Sequence, residues 1–155
     1  MPRLRLLPFL AVSLLASLAA AAPGDEPAPK GHLVLIGGGE KPPEVMRKFV
    51  ELAGGKDAPI VMIPTASSDA DAASYYEKLF REEYGCTNAV SLDIRKKVDA
   101  QRADWAVLAR NARGVFFSGG DQIRITNALL GTPMGDAIAA AFASGAVVGG
   151  TSAGT

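Results

Sequence analysis

The stretch Ala146-Val147-Val148-Gly149-Gly150-Thr151-Ser152-Ala153-Gly154-Thr155 joins a short apolar run to the pattern G-x-S-x-G. The apolar residues 146–149 predict a buried strand, and the glycines that follow predict a sharp turn. A strand that runs into such a turn is typical of a nucleophile elbow, which holds a serine hydroxyl clear of the sheet. Ser152 is therefore a candidate catalytic nucleophile. A glycine-rich turn without any chemistry is the alternative.

Four further apolar runs precede this strand, at residues 33–36, 60–63, 88–92 and 115–117. Helical patterns separate them, beginning near Pro42, Ser68, Asp99, Ile123 and Pro133. Strands that alternate with helices predict an α/β domain with a doubly wound parallel sheet in a three-layer α/β/α arrangement. The uninterrupted apolarity of the first run predicts a strand that is buried on both faces. Ser68-x-x-Asp71 resembles a capping box for the second helix, and Asp99 is expected to cap the third.

Three polar, glycine-rich loops follow strands of the predicted sheet: Gly37 to Glu40, Ser118 to Gln122, and the elbow at Ser152. Ligands in parallel α/β sheets bind beyond the carboxyl ends of the strands, so these loops are expected to form one site.

A serine nucleophile needs backbone N–H donors for the oxyanion that forms during acyl transfer. Gly119, Gly120 or Asp121 could supply one donor, and Ala153 the other. The alternative for this loop is a plain turn into a helix, with Asp121 facing the helix dipole. Gln122 is a candidate substrate-binding residue and Glu40 a candidate site-lining residue; each could equally be a solvated side chain.

Composition excludes several classes of function. Lys plus Arg and Asp plus Glu both number 16, so no nucleic-acid partner is indicated. The glycines at 37–39 match neither the dinucleotide fingerprint nor the P-loop. With one histidine and one cysteine, Cys86, the chain offers no His/Cys metal site, and no cofactor is expected. Cys86 is expected to be a small, half-buried residue.

The N-terminus has the pattern of a secretory signal peptide. Arg3 and Arg5 precede an apolar run from Leu6 to Leu18, and Ala20 and Ala22 fit an A-x-A cleavage site. The expected organisation is a signal peptide at 1–22, a flexible leader at 23–31 and the α/β domain at 32–155. This predicts a periplasmic or secreted protein with no stable membrane insertion after cleavage. An uncleaved membrane anchor is the alternative.

The general base that a serine nucleophile requires is missing from the predicted site. His32 opens the first strand, at the end of the sheet opposite the elbow, and a strand of about five residues spans roughly 17 Å. His32 is therefore not expected to reach Ser152.

Two motifs taken together resemble a known family. Gly114-Val115-Phe116-Phe117-Ser118-Gly119-Gly120-Asp121-Gln122 and Gly150-Thr151-Ser152-Ala153-Gly154 are similar to the cyanophycinase branch of the dipeptidase E-like serine peptidases, peptidase family S51. Ile36 to Glu40 and Ile63 to Ser67 match as well, so the resemblance runs from Leu33 to the end of the sequence.

The resemblance implies a class I glutamine amidotransferase-like, flavodoxin-like fold with Ser152 as nucleophile. It implies oxyanion donors at Gly120, Asp121 and Ala153, and a substrate pocket that includes Gln122. It also implies metal-free cleavage of cyanophycin, multi-L-arginyl-poly-L-aspartate, to β-Asp-Arg dipeptides. A homodimer is a further expectation.

The same resemblance places the catalytic histidine and its acidic partner downstream of the elbow. Only three residues follow Ser152 in this sequence. The expectation is a fragment that is truncated after the fifth strand and inactive by itself, with a degraded copy as the alternative. Two other functions stay open: a non-catalytic binding domain, and another α/β serine hydrolase such as an esterase. The esterase lacks support because no His-Gly-Gly type motif follows the third strand.

Overall fold

The computed structural model describes residues 28–155. The predicted signal peptide, residues 1–22, and the first part of the predicted leader lie outside this range. Among the helices of residues 28–155, none has both the length and the apolar character needed to cross a membrane.

A single parallel sheet forms the centre of the domain, in the strand order β1-β5-β4-β2-β3. Its strands are β1 His32–Ile36, β2 Ile60–Ile63, β3 Ala89–Ser91, β4 Gly114–Phe117 and β5 Val147–Thr151. The predicted doubly wound α/β fold is confirmed. The order places β5, which carries the elbow, between β1 and β4.

Helices connect the strands and cover both faces of the sheet. They are α1 Pro43–Leu52, α2 Ala72–Lys78, α3 Ala103–Arg110, α4 Gln122–Leu129 and α5 Pro133–Ala143. A π-helical turn, Leu79–Glu83, continues α2. Proline occupies the first helical position of both α1 and α5, where its missing N–H costs no hydrogen bond.

Alternating side chains of the central strands divide the core into two layers. Met62 and Phe116 point toward α1 and α2, where Phe116 meets the rings of Phe49 and Phe80 edge-on at centroid distances of 5.3 and 5.4 Å. Their strand neighbours, such as Val115, lie in the second cluster with α3, α4 and α5. Burial of both faces explains why β2 and β4 read as continuous apolar runs.

The first strand departs from its prediction, because β1 is not buried on both faces. It lies at the edge of the sheet, and Leu33 and Leu35 are 61% and 64% exposed. Ile36 joins the cluster under α1, whereas the helices of the opposite layer leave both leucines uncovered. An apolar run therefore identified the strand but not its place in the sheet.

Two predicted helix starts are also wrong. The carboxylate of Asp99 accepts hydrogen bonds from the N–H groups of Arg95 and Lys96, at 2.9 and 2.8 Å, and so closes a loop. A single 3₁₀ turn follows it, and the extended backbone of Arg102 separates that turn from α3. Helix α2 begins at Ala72, and Asp71 at its N-cap position makes no side-chain capping bond.

Candidate active site

Ser152 lies in the turn directly after β5, at the carboxyl end of the sheet. Its backbone has φ +54°, and within residues 28–155 it is the only non-glycine residue with a positive φ. A left-handed conformation costs a non-glycine residue about 1–3 kcal/mol, and such strain concentrates at functional sites. The side chain is exposed. The structure thus has the strained corner and the accessible hydroxyl of a nucleophile elbow.

Gly150, two residues before Ser152, is required by the close packing of the turn. A Cβ atom on Gly150 would lie 2.0 Å from the carbonyl oxygen of Gly154. That distance is far inside van der Waals contact, so a side chain at residue 150 would force the turn open. The G-x-S-x-G spacing therefore has a steric cause in this chain.

The three loops predicted to converge do meet at Ser152. A Cβ atom placed on Gly38 would lie 3.6 Å from Ser152 Cβ and 3.8 Å from its Oγ. A Cβ atom placed on Gly119 would lie 3.2 Å from Ser152 Cβ. Because β1 and β4 are the two neighbours of β5, the loops that follow them flank the elbow on either side.

The loop after β4 is the first candidate source of backbone donors for an oxyanion. Gly120, at φ +141°, approaches β2 so closely that a Cβ atom there would lie 2.0 Å from the Ala66 carbonyl oxygen. The N–H of Asp121 donates to that same carbonyl at 2.9 Å, so it is occupied and makes a poor oxyanion donor. The N–H of Gly120 has no hydrogen-bond acceptor among residues 28–155. Ala153, half-buried in the turn after Ser152, is the candidate for the second donor.

Asp121 has a structural role that the sequence offered only as an alternative. Its carboxylate caps α4, accepting a hydrogen bond from the N–H of Ile123 at 2.8 Å. This capping fixes the first turn of the helix behind the Gly119–Gly120 loop.

Replacement of Asp121 by alanine is expected to lower the free energy of unfolding by about 1 kcal/mol, the usual cost of a lost N-cap. Urea unfolding followed by circular dichroism measures the change. Asp71→Ala is the matched control, because Asp71 holds the N-cap position of α2 without a capping bond. Equal losses in the two variants would contradict the role of the Asp121 carboxylate.

A cavity of about 670 Å³ opens beside Ser152. Gly119, Thr151 and Ser152 contribute from the strand ends, and the remaining wall comes from the loops before α1 and α2 and from α2 itself. The residues of that wall are Gly39, Lys41, Ser67, Asp69, Ala70, Asp71, Ala72, Tyr75 and Tyr76. The volume suits a short peptide or a similar small ligand.

Several charged and aromatic residues of this cavity were missed by the sequence reasoning, namely Lys41, Asp69, Asp71, Tyr75 and Tyr76. A signal for Lys41 was present, since it directly follows the Gly37–Glu40 loop at the end of β1. A signal for Asp69 was its place shortly after the end of β2, in a loop whose residues Ser68 and Asp71 predict a helix start.

Tyr76 forms part of the cavity wall and is itself largely buried. Burial raises the pKa of Tyr76 to about 12, and a hydrogen bond from the Gly119 backbone only partly offsets this effect. The phenol therefore stays protonated at neutral pH.

Of the six residues predicted for the site, Ser152 lines this cavity, whereas Gly120, Asp121, Ala153, Gln122 and Glu40 do not. Gln122 borders a separate groove of about 220 Å³ that it shares with Ala153 and Gly154. Glu40 is exposed and lines neither space. The substrate-binding roles of Gln122 and Glu40 stay predictions.

His32 lies at the opposite end of the sheet from Ser152. The register pairs His32 with Val147 at the start of β5, while Ile36 pairs with Thr151 at its end. Within residues 28–155, no group of three or more His, Cys, Asp or Glu side chains could hold a metal ion. Cys86 is buried, not half-buried as predicted, and burial raises the pKa of its thiol.

The family model described as Peptidase family S51 matches residues 33–155. The chain belongs to peptidase family S51. It is 32% identical over 130 residues to a cyanophycinase of Geminocystis herdmanii, covering 81% of this chain and 47% of that protein. It is 34% identical over 130 residues to a cyanophycinase of Synechococcus elongatus, covering 81% of this chain and 40% of that one. The chain thus spans about half the length of these S51 relatives, or less.

Two solved structures share the fold of this chain. A crystal structure of a peptidase from an acI-B1 Actinobacterium superposes with a TM-score of 0.69 at 28% identity, covering 81% of this chain and 55% of that one. A putative peptidase E protein from Listeria monocytogenes superposes with a TM-score of 0.54 at 20% identity, covering 80% of this chain and 59% of that one. The second likeness shows the fold alone.

Proposed function

We propose that residues 32–155 form the nucleophile-bearing part of a secreted serine peptidase that hydrolyses cyanophycin to β-Asp-Arg dipeptides. The observation that carries the proposal is the conformation of Ser152, held at φ +54° beside a cavity and flanked by two glycine loops. Membership of family S51 and the cyanophycinases among its relatives support the substrate.

In the proposed reaction, Ser152 Oγ attacks the carbonyl carbon of the scissile amide and gives its proton to a general base. The N–H groups of Gly120 and Ala153 stabilise the oxyanion of the tetrahedral intermediate. This intermediate expels the amine, which takes up the proton from the base and leaves an acyl ester on Ser152. Water then hydrolyses the ester and releases the dipeptide.

The base in this scheme is a histidine other than His32. The sequence contains one histidine, and the register places it at the far end of the sheet from the nucleophile.

The proposal includes export from the cytoplasm, with residues 1–22 as a cleaved signal peptide and 23–31 as a leader. It rests on the charged start, the apolar run and the alanines of the sequence. Cyanophycin outside the cell would then be the accessible polymer. Assembly as a homodimer stays an expectation from the family resemblance.

A chimera tests the proposal directly. Residues 33–155 replace the matched segment of the Geminocystis herdmanii cyanophycinase, and release of β-Asp-Arg from cyanophycin is followed by chromatography. Hydrolysis is expected, because the chimera combines Ser152 with the remaining residues of an S51 enzyme. A chimera that unfolds cooperatively but releases no dipeptide would contradict the proposed function.

The 155-residue chain alone is expected to release no dipeptide in the same assay, since His32 cannot activate Ser152. Binding of cyanophycin without hydrolysis would agree with this expectation. Dipeptide release by the chain alone, abolished by Ser152→Ala, would show that another residue acts as the base.

A further inference from the structure

Lys41 brings a positive charge into the cavity beside Ser152. It follows the loop after β1 and lines the same space as the nucleophile. Its ammonium nitrogen lies 3.3 Å from the hydroxyl oxygen of Tyr75, and 5.2 and 5.5 Å from the ring centroids of Tyr75 and Tyr76. The lysine was not among the site residues expected from the sequence.

These contacts hold the ammonium group in place without neutralising it. Both aromatic rings attract a cation through their negative faces, and the tyrosine hydroxyl accepts one of its three N–H donors. No carboxylate of residues 28–155 lies within ion-pair distance of Lys41. Asp69 and Asp71 line the same cavity but do not pair with it. Two donors and a full charge are therefore left for a ligand.

An ammonium group with free donors in a peptide-sized cavity recognises an anionic group of the ligand. The proposed substrate offers one at every branch. In a β-Asp-Arg unit the amino group of arginine is joined to the aspartyl side chain, so the α-carboxylate of arginine is free both in the polymer and in the dipeptide. The α-carboxyl of aspartate, by contrast, is bound in the polymer backbone.

We propose that Lys41 binds the free α-carboxylate of the arginyl residue and thereby determines the specificity of the site. This inference rests on the proposed function for the identity of the ligand. Asp69 and Asp71 also line the cavity, and without the charge of Lys41 their carboxylates would repel an anionic group of the ligand.

Binding of two matched ligands tests the inference. Titration calorimetry on the 155-residue chain compares β-Asp-Arg with its arginyl carboxamide, in which the arginyl carboxylate is neutralised and the free α-carboxylate of aspartate is kept. The unaltered chain is expected to bind the free acid about tenfold more tightly, since a hydrogen bond between two charged groups typically contributes this much or more. In Lys41→Met this preference is expected to vanish or to invert.

Lys48→Met is the control variant. Lys48 lies on α1, away from the cavity, with its ammonium group paired to the exposed carboxylate of Glu51 at 2.7 Å. The Lys48→Met substitution removes the same charge from the chain but leaves the proposed ligand site unaltered. The tenfold preference for the acid is therefore expected to persist. Lys41→Arg, which keeps the charge, is expected to retain part of the preference.

Three outcomes would overturn the inference: equal binding of acid and amide by the unaltered chain, an unchanged preference in Lys41→Met, or no binding of the dipeptide. A lower melting temperature in Lys41→Met with the preference intact would assign Lys41 a merely structural contact with Tyr75. Failure of the proposed function has a different signature, namely a folded chimera that does not hydrolyse cyanophycin.

Discussion

Replacement of Ser152 by alanine is expected to lower dipeptide release by the chimera about 10⁴-fold or more, since loss of the nucleophile costs serine hydrolases up to ~10⁶ in kcat. Alanine keeps the Cβ atom that faces Gly38 and Gly119, and it occupies the same left-handed backbone at similar cost. The fold and the cavity are therefore retained while the attacking oxygen is lost.

Initial rates of β-Asp-Arg release at saturating cyanophycin measure this effect, and calorimetry with β-Asp-Arg checks that binding survives. Ser144→Ala is the matched control. Ser144 is an exposed serine at the C-terminal end of α5, just before β5 begins, and its loss should leave the rate unchanged. If Ser152→Ala kept a tenth of the activity, Ser152 would not be the nucleophile.

Replacement of Gly120 by alanine is expected to have the second large effect, on both stability and rate. The new Cβ atom would lie 2.0 Å from the Ala66 carbonyl oxygen, and φ +141° is a conformation that alanine scarcely adopts. Overpacking and backbone strain each cost about 1–3 kcal/mol. The loop must therefore move, and with it the N–H proposed for the oxyanion, whose loss lowers kcat about 10²- to 10³-fold.

Gly55→Ala is the control that separates the effect of backbone strain from the effect of the close contact with Ala66. Gly55 lies in the turn after α1 and also has a positive φ, +96°. A Cβ atom placed on Gly55 would have no neighbouring atom within 4 Å. This control should lose stability through the backbone alone and keep the kcat of the chimera. Urea unfolding and the dipeptide assay are run on both variants. Equal kcat values for Gly120→Ala and Gly55→Ala would rule out the oxyanion role of the 119–121 loop.

Much of the fold was predictable because it rests on local patterns. Strand β2 was predicted at its observed bounds, and β4 to within one residue, since central strands of a parallel sheet are apolar on both faces. The elbow was predictable because the turn itself has no room for a side chain at Gly150, and the pattern G-x-S-x-G reflects this. Such features need only neighbouring residues for their explanation.

The environment of β1 and the break before α3 were not predictable in this way. Leu33 and Leu35 resemble the residues of a buried strand, and only the sheet order shows that β1 lies at an edge. Asp99 is a residue type that commonly caps helices, but its carboxylate accepts hydrogen bonds from the N–H groups of Arg95 and Lys96 instead. At β1 the place in the sheet decides the burial, whereas at Asp99 a competing local hydrogen-bonded turn replaces the helix cap.

Some residues of the candidate site were likewise predictable from local sequence, and others were not. Ser152 and Gly120 stand out in the sequence, whereas Lys41 and Asp69 enter the cavity from loops that follow different strands, and Tyr76 enters it from α2. Their proximity depends on the order β1-β5-β4-β2, which no single segment encodes. The occupied N–H of Asp121 depends in turn on the approach of that loop to Ala66.

The place of β5 in the sheet also sets the order of events during synthesis. Strand β1 has β5 as its one partner within the described sheet, and their register joins His32 to Val147. A ribosome adding 5–20 residues per second needs on the order of ten seconds to make the intervening chain. Until then the hydrogen-bonding edge of β1 that pairs with β5 is open to chaperones or to neighbouring chains. The nascent chain therefore has no assembled cavity beside Ser152 until β5 inserts between β1 and β4.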